Sequence, residues 1–222
     1  MRKKVFIINL GFGNIQSLMN LFRTLGINAQ AGELDQKILE EGAPVVLPGV
    51  GNYGKALLNL KQNNKIDILH DFYQKDLPIL GICLGAQIFC KKSEEGDGNG
   101  LGWINAEVKH FNSMDCNGNP RKVPFMGWRT FAPPSGCLPF ACTPGRMYFA
   151  HSYYIEPRYI SEEFPCQCFY GDQKLATVVK SKNAIGVQFH PEKSHRFGAL
   201  FLQNWAEWAF HKAPLSRLWQ QK

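Results

Sequence analysis

No stretch of the 222 residues approaches the roughly 18 consecutive apolar positions that a membrane-spanning helix needs. There is no internal repeat, low-complexity tract or linker-like run, so one domain over residues 1–222 is expected. The seven cysteines are an odd number and show no framework spacing, which suits a reducing compartment. Cys137, Cys142, Cys166 and Cys168 are the one group that hints at a metal, but their intervals match no common zinc pattern, so no metal is expected. Charge is also unremarkable in its placement. The net +7 comes from 25 Lys and Arg against 18 Asp and Glu, dispersed apart from Arg2–Lys4 and Lys91-Lys92. Without a basic stripe interleaved with aromatics, nucleic acid is not the expected partner. The opening Met1–Leu10 is basic and then apolar, yet its apolar run is short and meets no small-residue cleavage site. It reads as a first β-strand (Val5–Leu10), and the expected location is the cytoplasm.

What is present is an alternation of apolar runs and helical periodicities. Ile15, Leu18, Leu21, Phe22 and Leu25 fall on one helical face, ended by Gly26. The Gly11-x-Gly13 before them lacks the third glycine of a dinucleotide site, since Gln16 stands there, so that cofactor is discounted. Ala43–Leu47 reads as a buried strand, Lys55–Leu60 and Ile66–Tyr73 as helices, Leu77–Leu80 as a strand, and Leu84–Cys90 as a helix. Strands and helices at this spacing predict an α/β fold with a mostly parallel sheet covered on both faces. Glu94–Gly100 reads as a flexible acidic loop. Beyond it, Ala106–Phe111, Met147–Ile155, Cys166–Tyr170, Leu175–Lys180 and Ala184–Phe189 are short β-like pieces split by turns, which predicts an antiparallel extension. Phe197–Phe210 carries Leu200, Phe201, Trp205, Trp208 and Ala209 on overlapping faces of a last helix, and the tail after Pro214 reads as frayed.

The chemistry centres on Gly81-Ile82-Cys83-Leu84-Gly85, a nucleophile flanked two residues away on each side by glycine. This is the pattern of a nucleophile elbow, a strained strand-to-helix turn on which any neighbouring Cβ would collide with backbone. A helix N-terminus beside the sulfur would favour thiolate. A buried structural cysteine in a glycine-bracketed turn fits Cys83 taken alone equally well. Gly186–Ser194 supplies the second half: alternating apolar residues end in His190-Pro191-Glu192, and the proline stops the strand. A carboxylate fixes an imidazole's tautomer and raises its basicity, so Cys83, His190 and Glu192 form a candidate triad. A surface His-Pro-Glu turn is the alternative. Oxyanion donors would come from the Leu84 amide and from the Pro48-Gly49-Val50-Gly51 turn.

Pro48–Gly51, Gly81–Gln87 and Gln188–Ser194, in this order, resemble the class I (triad) glutamine amidotransferases, and within them the glutaminase subunits of imidazole glycerol phosphate synthase. Gly11-x-Gly13-Asn14, Glu95–Gly102, Met126-Gly127-Trp128 and Tyr148–Tyr154 extend the likeness over residues 5–207. The resemblance implies a flavodoxin-like sheet and attack by Cys83 on glutamine's carboxamide, with His190 as base then acid and Glu192 orienting it. It implies glutamine beside Gly49, Gly51, Gln87, His151, Ser152 and Tyr153, with Gly49, Val50, Gly51 and Leu84 as the oxyanion and activation loop. It implies no cofactor. Ammonia would pass to a (β/α)8-barrel cyclase, in a heterodimer, that makes imidazole glycerol phosphate and AICAR for histidine biosynthesis. A paralogous glutaminase serving surface-sugar amidination, and a catalytically weak binding subunit, are the alternatives. Phe125, Arg129 and Ala86 depart from the family pattern, which has His, Asn and Met at those places.

Overall fold

The computed structural model describes residues 4–11, 13–157 and 164–212; the expected frayed tail lies outside them. The chain starts with β1 (Lys4–Ile8), whose residues alternate between two apolar faces, then α1 (Ile15–Thr24) and β2 (Asn28–Gly32). α2 (Gln36–Glu41) follows, its N-terminus closed by Asp35 Oδ1 accepting from the Ile38 amide at 3.0 Å and its C-terminus by Gly42 at φ +62°. β3 (Val45–Leu47) leads through the Pro48–Gly51 turn into α3 (Tyr53–Lys61) and α4 (Lys65–Gln74), separated by Asn64 at φ +56°. β4 (Ile79–Ile82) enters the elbow, and α5 (Leu84–Ile88) leaves it.

These strands lie in one seven-stranded sheet together with three later ones, β11 (Cys166–Tyr170), β12 (Gln173–Ser181) and β13 (Ala184–Val187). The order β2-β1-β3-β4-β13 is wholly parallel, which is the flavodoxin-like winding, and β12 and β11 continue it antiparallel. β13 was expected among the antiparallel pieces. It pairs antiparallel with β12 but parallel with β4, because it is the last core strand and the extension hangs from its far edge.

Between α5 and β11 the chain builds two smaller sheets. β5 (Cys90–Ser93), β6 (Gly96–Asn99), β7 (Ile104–His110) and β10 (Tyr153–Ile155) form one, in the order β10-β7-β5-β6. β8 (Phe125–Phe131) and β9 (Gly145–His151) form the other. The segment expected as a flexible acidic loop is therefore a hairpin. Glu94 accepts from the His110 amide at 2.8 Å and pairs with Lys109 at 3.1 Å, and Glu95 accepts from the Tyr53 amide at 3.2 Å, so both acids are tethered. The helix expected over Leu84–Cys90 stops at Ile88, where the backbone joins β7 instead. Met147–Ile155 divides at Ser152, whose carbonyl accepts from Phe111 at 3.0 Å while β9 and β10 serve different sheets.

Two cores result, one on each side of the large sheet. Phe6, Ile8, Val45, Leu47 and Ile79 point toward α2, α3, α4 and α5; Val5, Ile7, Val46, Leu80 and Ile82 point toward α1 and the closing helix α6 (His195–Lys212). α6 buries Phe201, Leu202, Trp205, Ala206 and Ala209, whereas Leu200, expected in that face, is only half-buried.

Three glycines let the elbow lie directly on neighbouring backbone. A Cβ on Gly85 would fall 2.0 Å from the Leu47 carbonyl oxygen, and one on Gly49 2.3 Å from that of Ile82 and 2.4 Å from the Leu84 nitrogen. A Cβ on Gly81 would reach 2.8 Å from the Ala86 nitrogen. Gly26, by contrast, has φ +70° and open space around it. Denaturant unfolding is expected to rank Gly85→Ala well above Gly26→Ala in cost. The former should lose about 3 kcal/mol or more through overpacking, the latter about 1 kcal/mol for left-handed backbone. Equal losses would contradict the contact geometry.

Candidate active site

Three neighbouring parallel strands each deliver one part of the site at their C-terminal ends: β3 the Pro48–Gly51 turn, β4 Cys83, and β13 the residues Gln188–Glu192. General considerations for this winding point to the crevice between β1 and β3. The site lies next to it, and Gly13 bridges the two, since a Cβ there would sit 3.6 Å from Val50 Cγ2.

Cys83 has φ +50° and ψ −103°, a region that a side-chain-bearing residue occupies only under constraint. The constraint is visible: its amide donates to the Val187 carbonyl at 2.7 Å, and its own carbonyl accepts from Gln87 N at 3.0 Å. The sulfur is thereby held at the mouth of the turn, 6% exposed. The helix that follows is only five residues long, so the macrodipole anticipated for thiolate stabilisation is weak.

His190 Nδ1 lies 2.8 Å from Glu192 Oε1, with the two side chains 1% and 4% exposed. With the carboxylate on Nδ1, that nitrogen carries the proton and Nε2 is left for a second group. Nε2 has no hydrogen-bond partner of ordinary geometry among the described residues, and Cys83 is the side chain that adjoins the imidazole beside Glu192. Burial opposes a charge on His190, but the adjacent Cys83 and Glu192 outweigh it and raise the imidazole above its usual range. The backbone of His190 is held on both sides: its amide donates to the Tyr148 carbonyl at 2.8 Å, and its carbonyl accepts from Ser194 Oγ at 2.6 Å. Ser194 Oγ in turn accepts from Tyr148 N at 3.0 Å. α6 presses on the same turn, where a Cβ on Gly198 would fall 1.9 Å from the Pro191 carbonyl oxygen.

The residues expected around glutamine also converge. Gln87 Nε2 donates to the Tyr153 carbonyl at 2.8 Å, and His151 Nδ1 donates to the same oxygen at 2.7 Å. Ser152 sits between them at the bend joining β9 to β10. Burial pushes His151 down to about 3, its bond to the Tyr153 carbonyl only partly opposing this, and nearby His190 adds to the depression. The Pro48–Gly51 turn meets the elbow through Gly49, which lies against the Leu84 and Gly85 amides, while Gly51 is exposed at φ +133°.

Two residues with evident roles in this geometry had no assignment from sequence. Gln188, 1% exposed, donates to Cys83 Sγ at 3.5 Å; its signal was a polar residue inside the apolar run Gly186–Phe189. Ser194 gave no separate signal. The departures at Phe125 and Arg129 turn out to be one packing unit. The Arg129 guanidinium lies 4.6 Å over the Phe125 ring and 5.7 Å from that of Tyr170, and Phe125 stacks on Tyr170 at 4.2 Å. Ala86 faces Gly186, where a Cβ would come within 2.8 Å of the Ala86 methyl. Of the four downstream cysteines, burial pushes the Cys142 and Cys168 thiols up to about 12. Among the described residues, no group of three or more His, Cys, Asp or Glu is arranged to hold a metal, and no helix is long and apolar enough to cross a membrane.

The family profile described as glutamine amidotransferase class-I matches residues 6–207. The chain belongs to that family and is a glutamine amidotransferase. Among its relatives, the imidazole glycerol phosphate synthase subunit HisH 2 of Pseudomonas aeruginosa is 36% identical over 206 residues, spanning 91% of this chain and 98% of that protein. The subunit HisH of Prochlorococcus marinus is 35% identical over 206 residues, 91% of this chain and 93% of that one. A crystal structure described only as a glutamine amidotransferase shares the fold at TM-score 0.67 and 18% identity, covering 92% of this chain and 98% of its own.

His151 provides a test of the electrostatics. It titrates near 3 in the folded chain against an ordinary 6.5, so between those values the unfolded chain binds a proton that the folded chain refuses. Its contribution to stability is present above about 6.5 and is lost as pH falls toward about 3. His151→Asn removes the titrating group, and its melting temperature is expected to fall less steeply than that of the unmodified protein between about pH 6.5 and about pH 4. Parallel slopes would refute the assignment.

Proposed function

We propose that this chain is the glutaminase subunit of a two-part enzyme that makes ammonia from glutamine and hands it to a partner. The observation that carries the reading is the buried His190–Glu192 pair set beside Cys83 on its strained turn. The Cys83 proton moves to His190 Nε2 as sulfur attacks the carboxamide carbon. The C–N bond then breaks, and ammonia departs with the proton His190 returns. Water, deprotonated by His190, attacks the γ-glutamyl thioester, releasing glutamate and restoring the thiol. Glu192 holds the imidazole's tautomer. Amides of Leu84 and the Gly49–Gly51 turn serve the oxyanion, and Gln87 with His151–Tyr153 receives the amino-acid end of glutamine.

The relatives' name supports imidazole glycerol phosphate synthesis, in histidine biosynthesis, as the destination of the ammonia. The partner is then a (β/α)8-barrel cyclase that yields imidazole glycerol phosphate and AICAR. The Phe125–Arg129–Tyr170 unit, built where the chain departs from the family pattern, keeps a sugar-amidinating paralogue as the second reading.

The deciding experiment is glutamate release by the subunit alone and with its barrel partner, with and without that partner's phosphoribosyl ligand. Strong stimulation by partner and ligand, lost in Cys83→Ala, is the expected result. Stimulation by a partner but not by the ligand would move the acceptor to the sugar paralogue, and no Cys83-dependent hydrolysis would leave a binding subunit. Glu192→Gln should lower kcat by about 10²–10⁴-fold. Gly51→Val, strained at φ +133°, should depress partner stimulation more than glutamine KM. Equal loss of both would remove the loop from activation.

A further inference from the structure

Cys83 has a polar neighbour for which the triad gives no use. A chain of hydrogen bonds runs from the Tyr153 carbonyl through Gln87 and Gln188 to the nucleophile, and its direction is fixed by chemistry at the far end. A carbonyl oxygen only accepts, so the Gln87 amide must present its nitrogen to Tyr153 O, at 2.8 Å. The same NH2 group gives its second hydrogen to Gln188 Oε1 at 3.3 Å. Gln188 therefore turns its oxygen toward Gln87 and its NH2 toward Cys83 Sγ, at 3.5 Å. Turning the Gln188 amide over would set NH2 against NH2 on one side. With Gln87 3% exposed and Gln188 1% exposed, there is no bulk water to relieve that clash.

We infer that Gln188 is a catalytic residue whose side-chain N–H holds Cys83 as the sulfur anion, and that Gln87 is the positioning residue that keeps this N–H aimed at sulfur. The inference rests on Cys83 being the nucleophile. A hydrogen bond to a charged acceptor is stronger than one to a neutral acceptor, so the donor favours thiolate over thiol. When the Cys83 proton passes to His190, the electron pair stays on a sulfur already solvated by Gln188. The same N–H meets the pair again when water expels the sulfur from the thioester. This donor takes the part that the short α5 is too weak to play.

The test follows alkylation of Cys83 by iodoacetamide, itself a small primary amide, on the Cys83 peptide by mass spectrometry from about pH 5 to about pH 10. Gln188→Met keeps the shape and removes the donor. Its midpoint is expected to rise by about one pH unit, slowing alkylation about tenfold below both midpoints. Gln188→Glu, which offers an accepting carboxylate, should raise it further, and Gln87→Met should raise it less, by freeing the Gln188 amide to turn. An unmoved midpoint in folded Gln188→Met overturns the catalytic role, and an unmoved one in Gln87→Met overturns the positioning role. Should Gln188→Met fail to fold, the Gln188 side-chain amide resonance in the unsubstituted protein must shift as Cys83 titrates and stay still in Cys83→Ala. Its failure to shift overturns the inference. Alkylation needs neither partner nor turnover, so absent glutamate release would count against the proposed function and leave this result standing.

Discussion

The elbow after β4 rests on the end of β3, backbone against backbone, with no room for a Cβ at Gly85 or Gly49. Everything else at the site depends on that approach. It fixes where the turn reverses, and so forces Cys83 into positive φ. It sets the Leu84 and Gly85 amides against the Pro48–Gly51 turn. With β13 locked to β4 through Gly81 opposite Gly186, it also sets how far His190 stands from the sulfur. A turn displaced by one methyl would shift the Leu84 and Gly85 amides, Cys83 and His190 together, because all of them hang from adjacent strands.

Burial alone does not decide what the polar groups in this region do; their partners do. His151 and His190 are both almost wholly removed from water. His151 meets a carbonyl, which cannot repay the desolvation of a cation, and it stays neutral. His190 meets a carboxylate and a sulfur that can carry charge, and it is driven the other way. The cysteines divide similarly. Burial keeps Cys142 and Cys168 as thiols, in spite of the Arg129 cation near Cys168, while the Cys83 sulfur faces an amide N–H and an imidazole.

Much of this was legible beforehand because it rests on local chemistry. The glycines at 81 and 85 mark a turn that tolerates no side chain, and Pro191 stops a strand at the residue carrying the imidazole. The parallel core showed in its apolar runs. β2 did not, because Asn28–Gly32 is an edge strand with little apolar content, held by pairing along β1. The Gly96–Asn99 strand was hidden for a different reason: acidic and glycine-rich residues look like a loop until Glu94 and Glu95 find the amides of His110 and Tyr53. β13 read as another short strand, and nothing in its four residues tells which neighbour it will take.

By itself, then, the sequence determined the kinds of group available, the turn geometry around Cys83, the family, and the alternation that makes a two-faced sheet. These follow from residue type and short-range spacing, where sterics and periodicity act within a few positions. Only the tertiary structure decided which strand ends became neighbours, which way each histidine's basicity would be pushed, that Gln188 would aim a hydrogen at the sulfur, and that Phe125 and Arg129 would form one stack. Each of those depends on contacts between segments far apart in the chain, whose distances and solvent exclusion exist only once the sheet has closed around them.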